Sequence, residues 1–119
     1  MAKSIKTWLG YEFSSGTTTG KDYKDFQKDA KADLVRQCAK CGLKLHHFYP
    51  NHYEFSAVLR ELTTGNFVYI NISDTRLNQD EWYFRVLIRK MEHEKDWIGK
   101  KNHFCNWNDI GKMAKQLAA

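Results

Sequence analysis

The sequence predicts an α+β fold in two layers: a mostly antiparallel five-stranded sheet, a long helix after the first strand and a short C-terminal helix, in the order β-α-β-β-β-β-α. Three observations carry that expectation. From Asp22 to Cys41 the residues Phe26, Ala30, Leu34, Cys38 and Cys41 recur at spacings of three and four, one apolar stripe of a helix. Four strand-like segments then follow one another from Leu43 to Met91, rich in β-branched and aromatic residues and joined by short links that imply antiparallel pairing. Each helix carries one apolar stripe, and a sheet face is what would bury it.

The elements follow in chain order. Ile5 to Phe13 is aromatic and β-branched and reads as a first strand, and Ser14 to Lys21 is a small polar loop with two glycines. The helix Asp22 to Cys41 has Asp22 and Asp25 in its first turn and Arg36 and Lys40 near its end, an order that complements the helix dipole. Gly42 suits a left-handed stop. Leu43 to Tyr49 ends at Pro50, the only proline, and Tyr53 to Leu62 ends at the turn Thr63-Thr64-Gly65-Asn66. In Phe67 to Ser73, residues Val68, Ile70 and Ile72 alternate toward one face. In Trp82 to Met91, residues Trp82, Phe84, Val86 and Ile88 point one way and Tyr83, Arg85 and Arg89 the other. Glu92 to Asn106 has no period and is expected to be a long loop. Trp107 to Leu117 closes as a short helix capped by Asn106, with Ile110, Met113, Ala114 and Leu117 inward.

Length and composition fit one domain over residues 1–119: 14% of residues are aromatic, enough to build a core without a staple. No apolar run approaches the ~20 residues of a membrane span, and MAKSIKTW lacks the apolar segment of a secretory signal. The three cysteines, Cys38, Cys41 and Cys105, are an odd number and argue against a disulfide framework. The expectation is a cytoplasmic protein, in contact with no membrane. A net charge of +5 favours an anionic partner, either nucleic acid or an acidic protein surface.

Motifs of catalysis are incomplete. The loop ending in Gly20-Lys21 stands where a phosphate-binding loop would, but Ser15 replaces the first glycine and Asp22 the required hydroxyl. What remains is a weak anion site at Gly20 and Lys21. Cys38 and Cys41 have zinc-ligand spacing, yet a second ligand pair at the proper distance is missing and both lie on the apolar stripe, which favours core thiols. His103, Cys105 and Asp109 are sequence neighbours, whereas triad members converge from separate elements. The carboxylates Glu12, Glu54, Glu61, Asp74, Asp80 and Glu81 are scattered, and a metal-dependent nuclease needs two or three that converge. The expectation is therefore no enzyme, no metal and no cofactor, with a small metal-dependent nuclease as the last alternative.

Arg85 to Lys101 is the most suggestive stretch. Six basic residues stand there against three acids, interleaved with aromatic side chains. A partner-binding surface is expected from Tyr83, Arg85, Arg89, Lys90, Lys95, Trp97, Lys100 and Lys101, on the sheet face left open by the helices and on the loop that follows. Flat guanidinium forks suit carboxylate or phosphate, and exposed rings suit a protein groove or nucleic-acid bases.

Two blocks, TWLGYEFSSGTTTGKDYKDF from Thr7 to Phe26 and VYINISDTR with EWYFRVLIRKMEHEKDWIGKKNHF between Val68 and Phe104, resemble small proteins of phages and conjugative elements of gut-type bacteria. Some proteins of that kind are anti-CRISPR or other anti-defence inhibitors. The resemblance covers about half of the chain and brings no catalytic motif. It implies a mobile-element protein that acts by binding a host defence effector, such as a Cas nuclease, in the bacterial cytoplasm. Direct nucleic-acid binding by the same surface is the alternative.

Overall fold

The apolar stripe of the first helix becomes a buried face. In the computed structural model, which describes residues 20–51, 54–72, 86–98 and 101–119, helix α1 spans Gly20–Lys40. Its residues Phe26, Ala30, Leu34 and Cys38 are all buried, while Cys41 just beyond it is half-buried against the same core. Gly42 follows at φ +71°, the left-handed stop its position suggested.

Strands β1 (Leu43–Asn51), β2 (Glu54–Glu61), β3 (Phe67–Ile72), β4 (Val86–Met91) and β5 (His103–Cys105) form one sheet in sequence order, each antiparallel to the next. A single 3-10 turn, Trp107–Asp109, leads into the short helix α2, Ile110–Leu117. The α+β class and the antiparallel sheet are as the sequence predicts. The roster of strands differs. The expected strand Ile5 to Phe13 and residues 82–85 of the expected Trp82–Met91 strand lie outside the described residues. The fifth described strand is His103–Cys105, inside the segment expected to be loop.

Both helices lie on one sheet face. Phe55 of β2 is the meeting point: its ring packs on Phe26 of α1 at 5.9 Å, Phe48 of β1 at 5.0 Å and Trp107 at 6.0 Å between centroids. Ala57 and Leu59, then Val68, Ile70 and Ile72, then Val86 and Ile88 complete this core from the sheet, with Ile110 and Ala114 from α2 above. Period-two alternation puts these residues on one side because successive strand side chains point to opposite faces.

Polar contacts fasten the helices to each other and to the sheet. Trp107 Nε1 donates to Asp33 Oδ2 at 2.6 Å, and Gln37 Nε2 donates to the Trp107 carbonyl at 2.9 Å. Gln37 Oε1 also accepts from the Gly111 backbone N–H at 3.3 Å. The start of α2 is thus served by a side chain of α1. Asn106, expected to cap this helix, has an extended backbone and makes no side-chain cap bond. At the other end, buried Glu61 accepts from the Lys115 ammonium and from Thr64 N–H, the latter at 2.6 Å. Thr64 Oγ1 and Asn66 Nδ2 donate to the Ala118 carbonyl at 2.9 and 2.8 Å. The turn expected at Thr63–Asn66 is present, with Gly65 at φ +74°, and it also anchors α2.

One irregularity shapes β1. Its pairing with β2 shifts between Leu45 and His47, so that His46 is an extra residue in the ladder. Leu45 faces the core opposite Leu59, and after the bulge Phe48 faces it opposite Ala57. The strand also runs through Pro50 to Asn51, past the stop expected there. In the described sheet β1 is an edge strand, the kind of strand that tolerates proline.

Candidate interaction surface

The face turned away from the helices carries a chain of rings. The register brings Tyr49 of β1 beside Ser56 of β2, and aligns His47, Val58, Tyr69 and Arg89 across four strands. Aromatic and cationic side chains on directly opposed positions interact across the ladder. The Arg89 guanidinium lies 4.6 Å from the Tyr69 ring centroid, a close cation–π contact. Further along, Arg60 sits over the Phe67 ring at 5.8 Å, and the His46 ring meets Phe67 at 5.0 Å and His47 at 4.5 Å.

The segment after β4 folds back over this face. It turns tightly: Asp96 Oδ2 accepts from Glu92 N–H at 2.9 Å, and the Asp96 N–H donates to the His93 carbonyl at 3.1 Å. Trp97 then stands edge-on to Tyr49 at 5.8 Å and to Tyr69 at 6.1 Å. Those rings belong to the strands flanking β2, so the indole spans β2, where Val58 and Ser56 are buried. A second hold comes from Glu94, whose Oε2 pairs with His46 Nε2 at 2.9 Å. That bond, foremost, draws the Glu94 carboxyl below its ordinary value. Trp97 remains 53% exposed and Ile98 95% exposed.

This face is therefore not the open one the sequence suggested. Val58, Met91 and Arg89 are all buried on it. Of the eight residues expected to bind a partner, Tyr83, Arg85 and Lys100 lie outside the described residues. Arg89 and Trp97 are brought together on either side of Tyr69. Arg89, however, is only 5% exposed, and its Nη1 is buried with no hydrogen-bond partner. Lys90 pairs with Val68 and so lies on the helix side of the sheet, apart from Arg89. Lys95 and Lys101 are exposed. Gly20 and Lys21 form the first residues of α1, and the loop preceding them is outside the described residues.

Sequence reasoning missed Tyr49, Tyr69, His46, His47 and Ile98. The alternation of Val68, Ile70 and Ile72 already implied that Tyr69 faces the other way. No local signal announced the bulge that brings His46 and His47 to this face.

The thiols and acids elsewhere are arranged for packing. Cys38 is buried, and burial, with the neighbouring Cys41 second, pushes its thiol up to about 12. Cys105 is likewise pushed to about 11 by burial first and by Asp109 second. A thiol held there supplies almost no thiolate at neutral pH, which is a poor start for a nucleophile. Among the described residues no group of three or more His, Cys, Asp or Glu is placed to hold a metal ion. Among the same residues no helix is long and apolar enough to cross a membrane. Compared with known proteins, the chain matches no family model, no curated protein and no solved structure.

Proposed function

We propose that this protein works by binding another protein, and that its partner is a host nucleic-acid-targeting defence effector, as for an inhibitor of the anti-CRISPR type. One observation carries the binding part: Trp97 and Ile98, both largely exposed, stand side by side on a loop anchored to a rigid sheet. A large ring held in place by Tyr49 and Tyr69 loses little freedom on docking, which is the character of a binding hot spot. Lys95 and Lys101, near it in sequence, are exposed cations. The identity of the partner rests on the resemblance of the two sequence blocks to small proteins of mobile elements.

The second reading, direct nucleic-acid binding, draws on the same Lys95, Lys101 and Trp97. It is the weaker one. Phosphate binding gains from cations lined up along one surface, and here Lys90 faces away while Glu92, Glu94 and Asp96 interrupt the loop.

Pull-down against a panel of Cas effectors, with a phage-protection assay beside it, tests the proposal. Trp97→Ala is expected to weaken capture about 10- to 100-fold while leaving the fold intact. Capture of no effector together with no effect on phage would end the reading. A gel shift at ~50 mM salt that is lost by ~200 mM would favour nucleic acid instead.

A further inference from the structure

We propose that one flank of helix α1 grips the phosphate backbone of nucleic acid, without regard to sequence, through Lys24, Lys28 and Lys31. Helix α1 lies on the sheet face opposite the one that carries Trp97, so this second surface stands or falls independently of the protein-binding reading.

The starting point is how α1 sorts its charges. Lys24, Lys28 and Lys31 follow one another at spacings of four and three, so they form one line along the helix. All three are exposed, and no ion pair among the described residues includes them. The acids of the helix go elsewhere. At 3.6 residues per turn, Asp25, Asp29 and Asp33 lie roughly a quarter to a half turn round the axis from that line. Contacts fix both directions. Asp33 Oδ2 accepts from the Trp107 indole N–H, on the side of α2. Lys31 Nζ stands 5.8 Å from the ring centroid of Phe48 in β1. The lysine line therefore runs along the side of α1 next to β1, an edge strand of the described sheet.

Lysines three and four apart on a helix repel one another and weaken it. No carboxylate among the described residues pairs with these three to offset the repulsion, and a polyanion laid along them would. The spacing suits a nucleic-acid strand. At 1.5 Å per residue, Lys24 and Lys31 are about 10 Å apart along the axis. One strand of a duplex presents a charge about every 3.4 Å of its axis, so the line faces about three phosphates. The residue type selects among polyanions. An ammonium is a compact point charge that serves phosphate, whereas the guanidinium fork matches a carboxylate, and the line holds no arginine. Its apolar neighbour one turn on is exposed Val35, where a protein partner would call for a large ring. Contacts of this kind hold the backbone and read no bases.

The probe is double-stranded DNA of arbitrary sequence, titrated into the isotopically labelled full-length protein at ~50 and ~200 mM salt and followed by amide shifts. Shifts are expected along residues 24–31, with the Trp97 indole N–H unmoved and with equal affinity for a second, unrelated duplex. Three phosphate contacts give a salt slope of about −2.7, a fall in affinity of about 40-fold between the two salts. Replacing all three lysines, Lys24→Gln with Lys28→Gln and Lys31→Gln, is expected to lose at least about 10-fold at the lower salt and to flatten the slope. The corresponding triple change to arginine is expected to retain both. Glutamine matches lysine in helix propensity, so the fold is expected to be unchanged. The inference is overturned if the lower salt gives no shifts, or if they centre on the Trp97 indole and pass over the lysine line. It is equally overturned if poly-L-glutamate or anionic vesicles, at equal charge, bind more tightly than the duplex. Trp97→Ala is expected to leave the DNA titration unchanged. A shift abolished by the glutamine variant therefore belongs to this flank, while the Trp97 surface is judged by effector capture.

Discussion

Gly111 offers a direct test of how tightly the two helices are fitted. It lies in the first turn of α2, and a Cβ built on it would come 2.7 Å from Cys41 Sγ and 3.4 Å from the Gln37 carbonyl oxygen. Real Cβ atoms do not tolerate the first distance, so Gly111→Ala must push the Cys41 side chain or the helix. Overpacking of this kind costs about 1–3 kcal/mol. Against it stands the helix preference for alanine over glycine, up to about 1 kcal/mol. The net expectation is a loss of about 1 kcal/mol. In a Cys41→Ala background the sulfur is gone, the remaining Cys41 Cβ contact of 3.5 Å is ordinary packing, and the sign reverses. The Gln37 contact is common to both backgrounds and cancels. Urea unfolding of the wild type, both single variants and the double variant closes the cycle, with a coupling of about 1–3 kcal/mol expected. An equal effect of Gly111→Ala in both backgrounds would refute the sulfur contact as the constraint.

Two further predictions concern the thiols and the acid limb. In the native state Cys38 and Cys105 are expected to resist an aromatic disulfide reagent at pH 8 and to react only on unfolding, since burial holds them at about 12 and about 11; fast labelling of all three cysteines in native buffer would contradict this. Glu61 is held at about 2 instead of 4.5, first by Lys115 and then by the Thr64 N–H. Its folded value is the lower one, so its stabilisation is complete above 4.5 and fades as pH falls toward 2. Urea midpoints of Glu61→Gln should lie below the wild type above pH 4.5 and approach it toward pH 2. Parallel curves across that range would be the contrary result.

How much of this was legible follows from the strength of each local signal. The α1 stripe is long, and period 3.6 is unambiguous over five residues from Phe26 to Cys41. Val68, Ile70 and Ile72 alternate cleanly, and Gly42 and Gly65 sit where left-handed backbone is needed. His103–Cys105 was missed because three residues cannot display a period; the strand exists through its pairing with Val86–Ile88. The start of α2 was misjudged because its backbone partner, Gln37, lies far away in sequence. Arg89 was correctly set apart from Val86 and Ile88, but alternation tells facing and not depth. What buries that face includes a loop whose return depends on Trp97 finding Tyr49 and Tyr69, contacts between distant parts of the chain.

The extra residue at His46 has a consequence for both halves of β1. A strand with strict alternation would send Phe48 away from Phe55 if Leu45 faced the core, or the other way about. The bulge absorbs that change of frame, so each half meets the core correctly, and two neighbouring imidazoles emerge on one side. One of them is the latch for Glu94. Removing a single residue there would preserve the inward side chains while unfastening the loop. Loss of a residue from the middle of either half, away from these two histidines, would change the frame within that half.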